Sequence, residues 1–509
     1  AQQIRTPPPP PTPQINGPDV FGVTPGNPVL YKIPATGNGA ITYSVSGLPN
    51  GLSVNPTTGL ITGTIKTAGT YNMTLQATNS LGTNSKSFKI EVGSTINLTP
   101  AMGWNDWNCY GSTVTASEVL ANANAMATSG LINYGWTYVN VDDSWQGARG
   151  GPYDAIQGDS KFPAMAGLSA SIHGLGLKFG VYSTPWIQSY AGYTGGSANN
   201  PQGAFTKVSD NSQKVDGTHS FAANDAAQWA QWGVDYLKYD WNPRSPNPVS
   251  NAQFQTETQT MQQALDNCGR DIVFSYSNSM PFDQISTQEP MLNSWRIAGD
   301  VRDNWSSISG EGFGQDKWIP YTGPGHHIDP DMLVVGYVGW GATQHASDLT
   351  PDEQYTQITL WSLLSAPLLL GCDLTRLDPF TLNLLENPDV LSVDQDALAK
   401  QAATVENYNS LEVLEKPLEN GSIAVGLFNL SGSTATVQAN WSSLGITGMQ
   451  NVEDLWREEA LGVFNGSFSM SVASHSAELV EITPVPLPEP VAGLALAAGS
   501  ILLLRRGPR

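Results

Sequence analysis

Apolar and polar positions divide the chain into three regimes. From 14 to 93, runs such as VLYKI, ITYSVS, LITGTI, GTYNMTLQATN and SKSFKIEV alternate apolar with polar residues. A period of two marks strands with one buried face, and GLPNG and NPTTG between them are turn sequences. This segment is expected to be a small β-sandwich. From 97 to 401, mostly apolar β-runs alternate with Ala-rich helical stretches. The β-runs are AMGWN (101–105), TYVNVDD (137–143), LKFGVYS (177–183), VDYLKYD (234–240), DIVFSYS (271–277), SWRIAGD (294–300), PDMLVVG (330–336) and PLLLGCD (367–373). Helical patterns at 117–129, 225–232, 252–267 and 351–364 lie among them. Continuous apolar strands alternating with helices predict a parallel (β/α)8 barrel. From 402 to 483 the helical period is lost, and SLEVLEKPL, GSIAVGLFNLS, TATVQANW and SAELVEITP predict a terminal antiparallel β-sandwich.

The ends of the barrel runs carry the chemistry. Runs two, four, six and eight finish on Asp142–Asp143, Asp240, Asp300 and Asp373; Asp331 stands near the start of run seven and Arg296 within run six. All C-terminal strand ends of a barrel face one mouth, where active sites are built. Carboxylates gathered there repel one another and titrate abnormally unless they are used.

Composition narrows the classes. Formal net charge is −21, from 44 acidic and 23 basic residues. That excludes a nucleic-acid partner, which needs a basic face. Few charges with abundant Gly, Asn, Ser, Thr and Trp suit an exported protein that handles neutral sugars. Cys109, Cys268 and Cys372 form neither a metal pattern nor a disulfide framework and allow at most one bridge. Residues 1–13 are a Pro-rich extended spacer, compatible with a signal peptide already removed. Residues 484–509 join VPLPEP, the apolar run 491–504 and RRGPR. The run is short for a free-standing membrane span. The order of parts resembles the PEP-CTERM sorting signal of certain Gram-negative bacteria. That resemblance implies transient inner-membrane anchoring, cleavage by an exosortase, and a periplasmic, cell-surface or extracellular destination.

No HExxH, Gly-rich phosphate loop, DxDxDG loop or GxSxG elbow is present, so neither metal nor cofactor is expected. Adjacent His326 and His327 cannot easily share one metal. What remains is carboxylate chemistry with aromatic walls, the equipment for breaking a glycosidic bond. Lys238 lies two residues before Asp240, on the same strand face, and is expected to hold that carboxylate ionised with a low pKa, as a nucleophile requires. Asp300, beyond Ile297, Ala298 and Gly299, is the acid/base candidate. Asp142 and Asp143 are expected to fan around the hydroxyls of one sugar. Trp104 and Trp107 offer ring faces for stacking.

TPAMGWNDWN, GWTYVNVDDSWQG, KFPAMAGL, GLKFGVYS, WGVDYLKYD, WRIAGD, DPDMLVVG, LLSAPLLLGCDL and VDQDALAKQ resemble, in order, the motifs of glycoside hydrolase family 27, the α-galactosidase and α-N-acetylgalactosaminidase family. LPNGLSVNPTTGLITGTIKTAGTYNMTLQATNSLG resembles a bacterial Ig-like domain. The first resemblance implies a retaining exo-glycosidase with Asp240 as nucleophile, Asp300 as acid/base and carboxyl groups about 5–5.5 Å apart. It implies a sugar pocket from Trp104, Asp142, Asp143, Tyr182, Lys238, Arg296, Asp331 and Met332. In the loop after strand five, Ser277 and Met280 stand where relatives read the sugar's second position. The loop cysteines of well-known members are replaced by Tyr190, Asn242 and Ser144. The leading expectation is hydrolysis of terminal α-D-galactosyl residues from oligo- or polysaccharides. The alternatives are an α-N-acetylgalactosaminidase, a β-L-arabinopyranosidase and, remotely, a non-catalytic surface carbohydrate-binding protein.

Overall fold

The computed structural model describes residues 4–485. The sorting tail expected over 484–509 lies, but for its first two residues, outside the described residues. Among the described residues no helix is long and apolar enough to cross a membrane.

The central sheet has eight parallel strands: β1 (Met102–Asn105), β2 (Tyr138–Asn140), β3 (Lys178–Ser183), β4 (Val234–Asp240), β5 (Val273–Ser277), β6 (Ser294–Arg296), β7 (His327–Asp329) and β8 (Leu368–Leu370). They pair in chain order from β1 to β7, and β8 returns to β1 with Leu368 opposite Met102. One parallel bridge, Leu333 to Leu370, closes the barrel on its remaining side. The outer layer is α1 (Ala116–Ser129), α2 (Met165–Gly174), α3 (Ala222–Trp232), α4 (Asn251–Asp266), the short α5 (Ile285–Gln288), α6 (Trp305–Gly312), α7 (Pro351–Leu363), α8 (Pro379–Leu385) and α9 (Pro388–Asp394). Local chemistry sets their ends. Thr115 with Glu118, and Thr350 with Glu353, form reciprocal capping boxes that satisfy first-turn N–H groups of α1 and α7. Gly233 stops α3 with φ +86°, and a Cβ there would lie 2.8 Å from His173. The chain can therefore turn straight into β4.

Strands two, six and eight stop earlier than the sequence expectation, and strand seven lies elsewhere. Strand seven is His327–Asp329 rather than 330–336. Asp331 has φ +82°, which ends extended backbone, and Asp329 Oδ1 accepts its N–H at 2.8 Å. Asp331 thus lies past the strand and on the mouth side. Strand six stops at Arg296, which leaves Asp300 in a loop. Asp373 also departs from expectation, since its carboxylate accepts Thr375 N–H at 3.0 Å and caps a 3-10 turn after β8.

The N-terminal sandwich has a four-stranded and a three-stranded sheet around Val29, Ile33, Ile61, Leu75, Phe88 and Ile90. It sits on the end of the barrel where the strands begin. Asp271 accepts Thr24 N–H at 2.9 Å and Asn27 Nδ2 at 2.8 Å. Lys178, the first residue of β3, places its ammonium 4.8 Å from the Phe21 ring centre. A cavity of about 100 Å³ remains between Phe21, Tyr31, Lys32, Met102, Tyr138 and Lys178. The spacer is also anchored. Arg5 pairs with Asp352 at 3.2 Å and stacks on Tyr355, and Thr6 O accepts Asn383 Nδ2 at 2.8 Å. The C-terminal unit is a six-stranded and a two-stranded antiparallel sheet. Leu479, Phe428 and Trp456 join the barrel core, and Trp456 Nε1 donates to Thr359 Oγ1 at 2.9 Å.

Because Asp271 is the shared acceptor between sandwich and barrel, Asp271→Ala leaves two donors unpaired. The variant is expected to lose ~1–3 kcal/mol of stability at that interface. A fall of several degrees in the apparent thermal midpoint, with the sugar-pocket residues untouched, is the expected calorimetric result. An unchanged midpoint would show the contact to be dispensable.

Candidate active site

The mouth is built from the residues at and just beyond the strand ends. Asp240 closes β4 and pairs in register with Ser277 at the end of β5. It is 9% exposed, and both oxygens are held. Tyr182 of β3 donates its hydroxyl to Oδ2 at 3.0 Å, and Asn278 Nδ2 donates to Oδ1. Asn278 has φ +72°, a conformation asparagine tolerates better than most residues, and this puts its amide over the carboxylate. Burial pushes Asp240 up to about 6, against the pull of Lys238 and with further upward pressure from Asp142 and Asp300. This corrects the low value expected from sequence. A cation two residues away on a strand does not outweigh loss of solvent around a buried carboxylate.

Lys238 is also placed differently from expectation. Its ammonium meets Asp142 Oδ2 at 2.6 Å rather than closing on Asp240. Burial alone would lower its pKa, but Asp142, Asp240 and Asp331 raise it overall, so it stays charged. Asp142 takes a further bond through its backbone, whose N–H donates to Asp106 Oδ1 at 2.6 Å. Asp106 is fully buried, and burial, then Asp142, drive its pKa well up. Asp143 does not share Asp142's surroundings. Its oxygens accept Gln146 Nε2 at 3.1 Å and Ala191 N–H at 2.8 Å, so it ties the loop after β3 to the mouth.

Across the mouth, Arg296 at the end of β6 pairs with Asp331 Oδ1 at 2.9 Å and reaches Asp300 at 3.5 Å. It also donates to the carbonyls of Ala298 and Gly299, which shapes the loop that carries Asp300. Asp331 Oδ2 accepts Val301 N–H at 2.8 Å. Asp300 itself has a side chain 62% exposed. The barrel thus holds one carboxylate deep and gripped, and a second at the entrance on a guanidinium leash. Asp329 is raised to about 6 by burial, with Arg296 opposing.

Ser277, Met280 and Met332 are buried at the strand five and seven ends, and Met280 N–H donates to Arg296 O at 2.7 Å. Trp104 is fully enclosed, with Nε1 donating to Cys372 O at 2.7 Å. It supports the floor from behind instead of presenting an open ring face, while Trp107 is half-buried. His327 is buried, its Nε2 lies against Asn97 O at 3.0 Å, and burial pushes it down to about 4. The three cysteines are free. Where the family resemblance would place loop cysteines, the Tyr190 ring packs edge-on against Trp186 with centres 5.0 Å apart, and Lys161 Nζ donates to Ser144 Oγ at 3.1 Å. Non-covalent ties stand at these positions. Sequence reasoning missed Asn278, Asp106 and Gln146. Only Asn278 carried a signal, as a turn-forming residue directly after a strand end.

Comparison with known proteins follows the same boundaries. The profile of a family described as alpha galactosidase A matches residues 99–219 and 206–396. An Ig-domain profile matches 12–93, and an alpha galactosidase C-terminal beta sandwich profile matches 408–482. An alpha-galactosidase of Coffea arabica is 34% identical over 407 residues, which cover 79% of this chain and 98% of that one. A Bacteroides fragilis crystal structure provisionally described as an alpha-galactosidase/melibiase superposes with a TM-score of 0.82 at 29% identity, covering 93% of this chain and 98% of that one. That coverage extends into the N-terminal sandwich. A β-L-arabinopyranosidase structure from Geobacillus stearothermophilus gives a TM-score of 0.64 at 29% identity, covering 76% and 97%.

The state of Asp240 has a stability consequence. An unfolded aspartate titrates near 3.9, roughly, whereas folded Asp240 titrates at about 6. The folded state therefore binds more protons between these values, and the ionised group destabilises the fold in full only above pH 6 or so. Asp240→Asn is expected to add about 3 kcal/mol of stability at most at pH 8, seen as a higher apparent thermal midpoint, and much less at pH 4.5. Thermal unfolding at the two pH values measures this; an equal effect at both would contradict the raised value.

Proposed function

This chain belongs to the alpha galactosidase A family of glycoside hydrolases, and on that premise we propose that it releases terminal α-D-galactosyl residues by double displacement with retention. The observation that carries this reading is the unequal pair at the mouth, Asp240 buried between Tyr182 and Asn278 and Asp300 exposed beside Arg296. In the first step an Asp240 oxygen attacks the anomeric carbon as the bond to the leaving oxygen breaks. Protonated Asp300 gives its proton to that oxygen. The product is a galactosyl ester on Asp240. In the second step Asp300, now a carboxylate, takes a proton from water as the water attacks the anomeric carbon and frees Asp240.

The surroundings suit these roles. Tyr182 and Asn278 hold the attacking group in one orientation, so little motion is needed to reach the anomeric carbon. Exposure gives Asp300 access to both leaving group and water. Lys238 and Asp142, locked to each other, offer a donor and an acceptor to neighbouring sugar hydroxyls. Ser277 and Met280 are buried at the end of β5, where the sugar's second position is expected, and a hydroxyl there is the substituent of the proposed galactosyl substrate.

We also propose that the protein is exported and sorted through 484–509, supported by the order of VPLPEP, apolar run and basic end. In the source cell the full chain is expected in the membrane fraction before processing, and a chain ended at Thr483 in the soluble fraction. Identical fractionation would overturn this.

Chemical rescue tests the assignment of roles. Both Asp240→Gly and Asp300→Gly are expected to lose at least ~10³-fold in kcat on p-nitrophenyl α-D-galactopyranoside. Azide added to the first attacks from the face Asp240 occupied and gives the β-galactosyl azide. Azide added to the second intercepts the ester from the opposite face and gives the α-galactosyl azide. Wild-type kcat/KM is expected to fall as pH drops through about 6, where Asp240 protonates. Faster cleavage of the α-N-acetylgalactosaminide or β-L-arabinopyranoside would reassign the sugar, and reversed azide products would reassign the residues.

A further inference from the structure

The loop that carries Asp300 also carries an arginine that no carboxylate holds. Arg302 is exposed, two residues after Asp300. Val301 between them is fully buried, and its N–H is fixed on Asp331. Asp300 and Arg302 are both exposed on either side of buried Val301, so both side chains look out of the loop. The arginines at 5, 149, 244, 270, 296 and 457 each hold a carboxylate. Arg376 donates to Gln344 at 3.3 Å. Among the described residues, the Arg302 guanidinium has neither an ion pair nor a hydrogen bond, although the chain holds 44 acidic side chains. Its one contact is the face of Trp340, 4.9 Å from the ring centre.

That contact is built at some expense. Trp340 has φ +51°, a left-handed conformation that bulky residues avoid. It is held there because Asn108 O accepts the N–H groups of both Gly339 and Trp340, at 2.8 and 3.2 Å. Gly111 permits this approach: a Cβ on it would lie 2.6 Å from Trp340 O. On the other side, Arg302 N–H donates to Ser307 Oγ at 2.8 Å, and Ser307 Oγ donates to Glu311 at 3.1 Å. Asp303 Oδ2 accepts Asp348 N–H at 2.9 Å, tying the loop to the segment that follows Trp340. Backbone on both sides is thus fixed so that indole and guanidinium meet, with the donors of the guanidinium left open.

The acid must face the leaving oxygen, so the departing group lies on the side of Asp300. We propose that Arg302, laid flat on Trp340, is the leaving-group subsite and that it takes the ring of a second sugar. The forked N–H groups donate to two neighbouring hydroxyls of that ring, and the indole holds the planar fork in place. The enzyme then selects α-galactosides whose leaving group is itself a sugar. This rests on the α-galactosidase reading and adds the class of leaving group to it.

The test compares kcat/KM for raffinose with kcat/KM for p-nitrophenyl α-D-galactopyranoside. For Arg302→Ala the ratio of the first to the second is expected to fall about tenfold to a hundredfold, the range for hydrogen bonds to a charged group. The loss is expected mainly in KM for raffinose. Arg302→Lys recovers part of the ratio, since an ammonium keeps charge without the fork. Trp340→Phe keeps most of it and Trp340→Ala loses it. Trp340 is half-buried, so Arg302→Ala decides the matter if Trp340→Ala fails to fold. A ratio unchanged in Arg302→Ala, on a wild type active on both substrates, would overturn the subsite alone. A wild type inactive on both would overturn the α-galactosidase reading beneath it.

Discussion

Lys238 and Arg296 are the two cations that allow this barrel to keep a ring of aspartates at one end. Asp106, Asp142, Asp143, Asp240, Asp329 and Asp331 are all buried there. Left unpaired, such a group would neutralise or open the fold. Lys238 is locked on Asp142, Arg296 is locked on Asp331, and the remaining carboxylates survive on hydrogen bonds. Asp240 receives only neutral donors, Tyr182 and Asn278. Burial, against the pull of Lys238, raises its pKa.

The same constraint explains the loops. Three segments at the mouth are held by a bond to one of these acids: Ala191 on Asp143, Val301 on Asp331, the Asp142 backbone on Asp106. Loop shape is therefore bound to the charge balance of the pocket and does not need disulfides. At the opposite end the N-terminal sandwich covers the strand beginnings, through Asp271 and Lys178. Its position there, far from the mouth, makes it a foot for the barrel.

Much of this was legible in the chain. Apolar runs with β-branched residues predicted the strands, and strand-end aspartates predicted the mouth, because side-chain alternation and parallel pairing are local consequences of sequence. Asp142, Asp240, Arg296 and Asp300 are brought together as expected. Strand seven was misplaced because LVVG looks like a strand, while the positive φ of Asp331 that ends the strand is imposed by Asp329 and Arg296. Trp104 was read as a stacking face because sequence gives an aromatic residue but not which side of it is covered.

By itself, then, the sequence determined which residues stand at the strand ends and which types of chemistry they bring. Periodicity and residue identity are properties of neighbours along the chain. Tertiary structure alone decided which cation serves which carboxylate, how far Asp240 is cut off from water, and that Arg302 meets Trp340. Those depend on distances between residues tens to hundreds of positions apart, and on a dielectric environment that exists only once the barrel has closed.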